Sequence, residues 1–186
     1  MKAEEKFIKY EKLLREWSEK MNLVAPSTLS DIQTRHIADS AQLAKYLPHD
    51  INIIDLGSGA GFPGVVLAIM GWNVTCIESI GKKTRFLEAL KQELDLPNLI
   101  VINDRIENHL AKTPVKAGKF IFTARAFAPL IKILDYTHKT KCRLFLLKGR
   151  EIENEIKVAK AKYKFDYKLY NSETGDGFII NIFNIK

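Results

Sequence analysis

The chain has 186 residues, of which 46% are apolar and 27% charged, and its 29 Lys and Arg against 22 Asp and Glu give a net charge of +7. These proportions are typical of one globular domain and exclude collagen-like, coiled-coil and disordered chains. A chain of this size buries roughly 70% of its extended surface, so it needs no disulfide or metal staple. The longest apolar run is far shorter than the ~20 residues that span a bilayer, which excludes a membrane-spanning helix.

The first residues, the two cysteines and the net charge indicate the compartment and the partners. The first residues alternate in charge and lack the apolar run of a secretory signal, which predicts a cytoplasmic protein. Cys76 and Cys142 have no C-x-x-C partner, so we interpret them as buried thiols and predict no metal site. The positive charge favours a polyanion such as nucleic acid, although lysines on solvated helix faces would account for it equally well. No segment resembles a dimerisation element, so a monomer is expected.

Hydrophobic periodicity predicts the elements in chain order. Apolar residues three and four apart indicate a helix over 3–21, and a second helical pattern covers 31–47, where Pro48 ends it. Strands and helices then alternate. Strands are predicted over 51–56, 72–77, 98–103, 120–124, 142–147, 165–170 and 178–185, and helices over 65–70, 82–94, 129–137 and 151–161. The turn over 173–177 indicates that the last two strands form a hairpin.

This alternation determines the predicted fold class. Strands separated by helices favour parallel β-α-β units with right-handed crossovers and helices on both faces. Since only the last connection is a hairpin, we expect a seven-stranded, mostly parallel sheet with one antiparallel strand at its end. No linker divides the chain, so it is predicted to be a single α/β domain over 1–186, with a helical N-terminal extension over 1–48 and a Rossmann-like core over 49–186.

A glycine-rich turn follows the first predicted strand and marks a binding site. Gly57, Gly59 and Gly61 lie where parallel sheets bind ligands, and glycine lets the chain bend tightly and lets a ligand approach the backbone. Asp55 precedes the turn, and Glu78 ends the next strand at a spacing that suits hydrogen bonds to ribose hydroxyls. A solvated carboxylate is the alternative for Glu78. We expect a ligand with a ribose.

The ligand could be a dinucleotide or S-adenosylmethionine. A dinucleotide would place its pyrophosphate on the helix that follows the turn, where the carboxylate of Asp55 would repel it. A sulfonium tolerates that carboxylate far better. The chain has no Tyr-x-x-x-Lys pair and no Walker loop. Methyl transfer from S-adenosylmethionine is therefore the favoured chemistry.

Five segments make the prediction more specific: RHIADS over 35–40, DLGSGAGFPG over 55–64, ESIGKKTRFL over 78–87, TARAF over 123–127 and LKG over 147–149. Together and in this order they resemble the RsmG family, also called GidB (glucose-inhibited division protein B), of 16S rRNA guanine-N7 methyltransferases. The resemblance implies the class I S-adenosylmethionine methyltransferase fold and N7-methylation of a specific guanine in the 530 loop region. It implies 16S rRNA, the small ribosomal subunit or an assembly intermediate as the partner.

The resemblance also implies individual cofactor contacts. They add Phe62, Ile106, Glu107 and Arg125 to the residues of the glycine turn. Ile106 stands where relatives often carry a smaller residue beside the adenine. The complete predicted cofactor set is Asp55, Gly57, Gly59, Gly61, Phe62, Glu78, Ile106, Glu107 and Arg125.

Catalytic candidates follow from the chemistry of guanine N7, which exposes a lone pair and carries no proton. Transfer then needs proximity and a preorganised field rather than a general base. Arg125 has forked donors that suit O6, a phosphate or the methionine carboxylate, and Lys148 could contact O6 or a phosphate as a point charge. His36 and Asp39 share a helix face and could line the substrate mouth. The alternatives are a structural ion pair for Arg125, a surface lysine for Lys148 and a helix-surface pair for His36 and Asp39.

Two other functions stay open at this point. One is a methyltransferase of the same fold that acts on a small molecule, for which the basic surface is incidental. The other is a noncatalytic module that binds nucleotides or RNA. Two basic clusters could hold RNA phosphates, or could be solvated charge: Lys82, Lys83 and Arg85 in one, and Lys139, Lys141 and Arg143 in the other.

Overall fold

A computed structural model describes all 186 residues. Seven strands form one sheet in the order β3-β2-β1-β4-β5-β7-β6. The strands are β1 (Asn52–Leu56), β2 (Asn73–Glu78), β3 (Leu99–Asn103), β4 (Phe120–Arg125), β5 (Arg143–Lys148), β6 (Asp166–Asn171) and β7 (Phe178–Phe183). Strand order reverses at β1, whose neighbours are β2 and β4, so the carboxyl end of β1 is where an α/β sheet binds its ligand.

One strand runs against the others, as predicted, but its predicted position at the end of the sheet is wrong. Strands β1 to β5 pair in parallel, and β7 pairs antiparallel with both β5 and β6. The edge strand is therefore β6. The reason is burial: the apolar sequence of β7 is covered along its middle, whereas β6 carries exposed polar residues at most positions. The more apolar strand of the hairpin takes the inner place.

Helices cover both faces of the sheet, as expected. They are α1 (Ala3–Ser18), α2 (Asp39–Ala41), α3 (Gly64–Ile69), α4 (Gly81–Glu93), α5 (Ile106–Lys112), α6 (Leu130–Thr137) and α7 (Ile152–Lys160). One apolar cluster joins α1, α3 and α4 to the sheet, and a second joins α5, α6 and α7 to the opposite face. The sequence did not predict α5, because its only buried residue is Ile106 and it has no apolar period. None of the helices combines the length and apolar character that crossing a bilayer requires.

The helix predicted over 31–47 is not regular. A 3₁₀ turn over Pro26–Asp31 is followed by a π-helical segment over Gln33–Ala38, the short α2 and a second 3₁₀ turn over Gln42–Lys45. The Ser40 hydroxyl donates to the His36 carbonyl at 2.7 Å, a back-bond that competes with regular helix hydrogen bonding. The widened π turn buries His36 and Ile37 together. This segment therefore places His36 and Asp39 beside the end of β4, where both contact Arg125.

The N-terminal extension packs directly on the glycine turn. The Tyr10 hydroxyl, fully buried, donates to the Ala60 carbonyl at 2.6 Å, and its ring stacks on Phe62 at 5.3 Å between centroids. Leu14, one turn later on α1, is also fully buried in the same apolar cluster as the strands. The extension and the sheet thus share one core, and the extension holds the turn from one side.

Candidate active site

The turn after β1 has the backbone of a ligand cradle. Gly57, Gly59 and Gly61 have φ of +65°, +57° and +97°, a region that side chains rarely adopt. A Cβ at Gly57 would overlap the ring of Phe127. A Cβ at Gly59 would meet only the Gly57 carbonyl, at 3.8 Å, so this part of the backbone faces open space. The turn therefore needs glycine and presents bare backbone to a ligand.

Asp55 lies beneath this turn rather than at its surface. Its carboxylate accepts hydrogen bonds from the Gly64 amide at 3.1 Å and from the Thr123 hydroxyl at 3.3 Å, and the residue has no exposed surface. Burial raises the pKa of Asp55 from 3.8 to about 6, because the charged form loses its hydration. The sequence placed Asp55 among the cofactor contacts. The structure instead gives it a positioning role, since it ties β1 to the start of α3 and to β4.

Glu78 ends β2 beside the bare backbone of the turn. One carboxylate oxygen accepts from the Gly59 amide at 2.9 Å and the other from the Ile80 amide at 2.8 Å. Only 6% of the residue is exposed, which excludes the solvated carboxylate considered as an alternative. Each oxygen keeps a further lone pair that can accept from a hydroxyl. Glu78 therefore holds the turn and can still receive a ligand.

The first of two cavities opens at these strand ends, with a volume of about 350 Å³. It brings together four predicted cofactor residues: Gly57, Glu78, Ile106 and Glu107. Lys83, from the first basic cluster of the sequence, also lines it. Its lining combines apolar side chains with carboxylates, which are the groups that an adenosine needs for its base and its ribose.

A second cavity of about 460 Å³ opens at the carboxyl ends of β4 and β5, and its lining includes Asp39, Arg125 and Lys148. Phe127 lines both cavities and separates them. The intervening Ala126 has φ of +49°, which turns the chain sharply between Arg125 and Phe127. The sequence predicted Phe127 only as part of a family motif and not as a site residue. Its place two residues beyond Arg125, at the end of a central strand, was the available signal.

Arg125 is held by groups from the N-terminal extension. Its guanidinium lies 3.4 Å from an Asp39 carboxylate oxygen and donates to the His36 carbonyl at 3.3 Å and to the ring Nδ1 of His36. It also lies over the Phe62 ring, 5.3 Å from the centroid, and the His36 ring stacks on Phe62 at 5.1 Å. The structure thus brings together four residues that the sequence singled out: His36, Asp39, Phe62 and Arg125.

His36 lies behind Arg125 and lines neither cavity. Because Arg125 can only donate, Nδ1 of His36 is the acceptor, and Nε2 carries the proton that it donates to the Thr28 hydroxyl at 2.9 Å. Burial, with a smaller contribution from the charge of Arg125, lowers the pKa of His36 to about 4. A catalytic role of His36 at the substrate mouth stays a prediction. In the structure its neutral ring contacts the guanidinium of Arg125 and orients it.

The neutral state of His36 predicts a pH dependence. Its folded-state pKa of about 4 lies below the ordinary 6.5, so the folded protein binds fewer protons than the unfolded chain between these values. The free energy of unfolding then falls by about 3 kcal/mol through this group as the pH drops from 6.5 to 4. We expect the ring to titrate near pH 4 by NMR, with the Nε2-H tautomer above that pH. Arg125→Ala should raise the midpoint, and a midpoint above pH 6 in the unaltered protein would refute the assignment.

Lys148 is neither a surface lysine nor free to reach a ligand with all its donors. Its ammonium donates to the Ala128 carbonyl at 2.7 Å and to a Glu155 carboxylate oxygen at 2.7 Å, and its side chain is 9% exposed. The same Glu155 oxygen accepts from the Leu130 amide at 2.6 Å, at the first residue of α6. Lys148 therefore braces the loop that carries Phe127 and presents one remaining donor to the second cavity.

Comparison with known proteins identifies the family. Residues 3–175 match the family model of GidB, described as rRNA small subunit methyltransferase G. A protein of that name, ribosomal RNA small subunit methyltransferase G, from Orientia tsutsugamushi (strain Ikeda) is 44% identical over 92% of this chain and 85% of its own length. Its namesakes from Dinoroseobacter shibae and Rickettsia prowazekii are 41% and 38% identical, over 90% and 97% of this chain and 88% and 94% of their own lengths.

Solved structures show the same fold at low sequence identity. A SAM-dependent methyltransferase from Aquifex aeolicus gives a TM-score of 0.62 at 14% identity, with 92% of this chain and 97% of that chain covered. An O-methyltransferase from Bacillus cereus in complex with SAH gives 0.63 at 13% identity, with coverage of 95% and 91%. These neighbours confirm the predicted class I methyltransferase fold. Since the family model spans almost all of the sequence and the relatives match along most of their lengths, the chain belongs to the rRNA small subunit methyltransferase G family, GidB.

Proposed function

We propose that this protein transfers the methyl group of S-adenosylmethionine to N7 of one guanine in the 530 loop region of 16S rRNA. Membership of the family supports the coarser statement, an S-adenosylmethionine-dependent methyltransferase of small-subunit rRNA. The observation that carries the finer one is Arg125, whose forked donors stand at the cavity beside the cofactor cradle. Since the proposed substrate is ribosomal, we propose that the enzyme acts in the cytoplasm and as a monomer.

The residues of the first cavity fit the cofactor. Gly57 and Gly59 leave the backbone accessible, Glu78 has lone pairs for ribose hydroxyls, and Ile106 with Ile80 supplies apolar walls for an adenine. When bound, S-adenosylmethionine supplies an electrophilic methyl group on a sulfonium. Phe62 touches Arg125 and Tyr10 rather than lining either cavity, so we assign it to the support of the turn. Asp55 supports the turn in the same way.

The second cavity, which we call the acceptor cavity, is suited to the guanine base that accepts the methyl group. Guanine presents O6 beside N7, and a guanidinium can donate to O6 while N7 stays free. His36 and Asp39 hold Arg125 in one orientation, which limits the positions that a bound base can take. N7 has no proton to lose, so these residues supply orientation and charge rather than a base.

The modification of 16S rRNA in a strain without the gene tests the proposed function directly. We expect 16S rRNA from a strain that lacks the gene to have lost N7-methylguanosine from the 530 loop region, as read by mass spectrometry of nuclease fragments. Reintroduction of the unaltered gene should restore the mark, and the Arg125→Ala variant at equal protein level should not. An unchanged mark in the deletion strain would refute the proposal.

The Lys148→Ala variant tests whether the two cavities have separate functions. The variant leaves the Glu155 carboxylate without its cation and the Ala128 carbonyl without its donor, which loosens the loop around the acceptor site. We expect turnover to fall about tenfold or more, whereas S-adenosylmethionine affinity, measured by calorimetry, should change less than about threefold. Lys139→Ala, which removes a lysine outside both cavities, is the control. A loss of cofactor affinity as large as the loss of turnover would contradict the role given to Lys148.

A further inference from the structure

A larger cavity, of about 1140 Å³, lies at the opposite edge of the sheet from the active site. It opens where β5 begins at Arg143, whereas the acceptor cavity lies where β5 ends, roughly 17 Å away along the strand. We call it the basic groove, defined by the basic side chains that line it: Lys141, Arg143, Lys160, Lys164, Lys168 and Lys186. Lys141 and Arg143 belong to the second basic cluster of the sequence.

The charge of the basic groove is not compensated. None of its six basic side chains lies within 4.0 Å of a carboxylate, although ion pairs form elsewhere on the molecule. The only acidic side chain in the lining is Asp166, which accepts from the Asn184 amide at 2.7 Å. Cations gathered in a concave surface raise the local concentration of anions. Phosphates along one strand of a polynucleotide would neutralise several of them together.

Aromatic rings share the lining of the groove with these cations: Tyr163, Phe165 and Phe183. The Arg143 guanidinium lies 5.8 Å from the centroid of Phe183. The Lys160 ammonium lies 5.9 Å from the centroid of Phe165. Sites for single-stranded nucleic acid combine a basic track for the backbone with aromatic faces on which bases stack. The pattern favours an unpaired RNA segment over a double helix or an acidic protein.

A buried amide in the groove points to a ligand independently of charge. Asn181 lies on β7 between Phe145 of β5 and Lys168 of β6, and only 3% of it is exposed. Its side-chain oxygen has no hydrogen-bond partner in the protein. Such an oxygen lowers the stability of the fold unless a donor reaches it. The amino or imino group of an RNA base is a donor of the right kind.

We propose that the basic groove binds a single-stranded segment of RNA, so that the substrate is held at both ends of β5. This inference rests on the proposed function, which makes rRNA the substrate. The groove then acts as an anchor: it raises the concentration of the target guanine at the acceptor cavity and contributes to affinity without touching the reacting atoms.

The test compares two triple variants with the same loss of charge. One is Lys141→Gln, Lys164→Gln and Lys168→Gln in the groove. The control is Lys12→Gln on α1, Lys20→Gln two residues beyond the end of α1, and Lys91→Gln on α4. Binding of a fluorescein-labelled oligouridylate dodecamer is measured by anisotropy over a range of salt. We expect the groove variant to bind about tenfold more weakly near 0.1 M salt, with a salt slope shallower by about 2, and the control to change less than about twofold. Equal effects of both variants would overturn the proposal.

Two further readouts separate the groove from the fold and from the function. Asn181→Leu should weaken oligonucleotide binding about threefold while raising the midpoint of thermal unfolding; unchanged binding would remove Asn181 from the site. In methyl transfer to 30S subunits, the groove variant should raise KM about tenfold and leave kcat unchanged. If the unaltered protein methylated no rRNA, the proposed function would be refuted, and the oligonucleotide measurement would still test RNA binding by the groove. If the unaltered protein methylated rRNA and the groove variant kept the same KM, only the proposed role of the groove would be refuted.

Discussion

The Gly57→Val variant is expected to lose S-adenosylmethionine binding by at least about 100-fold, which is close to 3 kcal/mol. Gly57 has φ of +65°, and a side chain there meets the ring of Phe127. Either the turn changes its backbone, or Phe127 swings into a cavity that it lines. Both outcomes obstruct the cofactor cradle, so the loss does not depend on which occurs. Calorimetric titration with S-adenosylmethionine measures it.

A matched pair of smaller substitutions separates the cradle from backbone strain. Gly71 also has a positive φ, +109°, but a Cβ there would meet nothing within 4 Å. Gly71→Ala should lower the free energy of unfolding by about 1 to 2 kcal/mol through backbone strain, and Gly57→Ala by at least as much, because its Cβ also overlaps Phe127. Only Gly57→Ala should weaken cofactor binding. If Gly71→Ala weakened it equally, the effect would be one of stability, and the assignment of the cradle would be wrong.

The Arg125→Ala variant is expected to lower kcat by about 100-fold or more and the free energy of unfolding by about 2 to 3 kcal/mol. Turnover falls because the acceptor cavity loses its forked donors. Stability falls because Asp39, whose side chain is 21% exposed, keeps a charge with no cation beside it. Initial rates of methyl transfer and chemical denaturation at neutral pH measure the two effects.

A second substitution distinguishes catalysis from support. In the double variant Arg125→Ala with Asp39→Asn, the uncompensated carboxylate is gone, so most of the lost stability should return. Turnover should stay low, since the donors to the acceptor base are still missing. Recovery of turnover together with stability would show that Arg125 acts only through the fold. Arg125→Lys should also stay slow, because an ammonium has a point charge and no fork.

The alternation of strands and helices along the chain and the place of the glycine turn could be predicted because they depend on local pattern. The buried run of β1 leads into glycines whose positive φ is required by a tight turn, and both are visible in the residues themselves. The position of Glu78 beside the turn was predicted for the same reason, since Glu78 ends the next parallel strand and so comes to the same sheet edge. The position of β6 outside β7 was not predicted, because a hairpin pattern does not say which strand meets the sheet.

The roles of single side chains depended on long-range contacts that periodicity does not contain. The sequence predicted an acid at Asp55 facing the ligand, but that carboxylate is bound to Gly64 and Thr123 beneath the turn. Lys148 was predicted to touch the substrate or solvent, but it braces Ala128 through a hydrogen bond across 20 residues of the chain. Phe127 was missed because its importance comes from the left-handed Ala126, a backbone conformation that the sequence of a loop does not indicate.

Transfer of labelled methyl from S-adenosylmethionine to purified 30S subunits and to protein-free 16S rRNA, with identification of the product nucleoside, tests the central claim most directly. We predict N7-methylguanosine at a single guanine of the 530 loop region in at least one of these RNAs, and transfer at least about 100-fold slower with Arg125→Ala. The preferred RNA would show whether the enzyme acts on free rRNA or on an assembled subunit. Transfer to neither RNA by protein that binds S-adenosylmethionine would contradict the account and leave a small molecule as the acceptor.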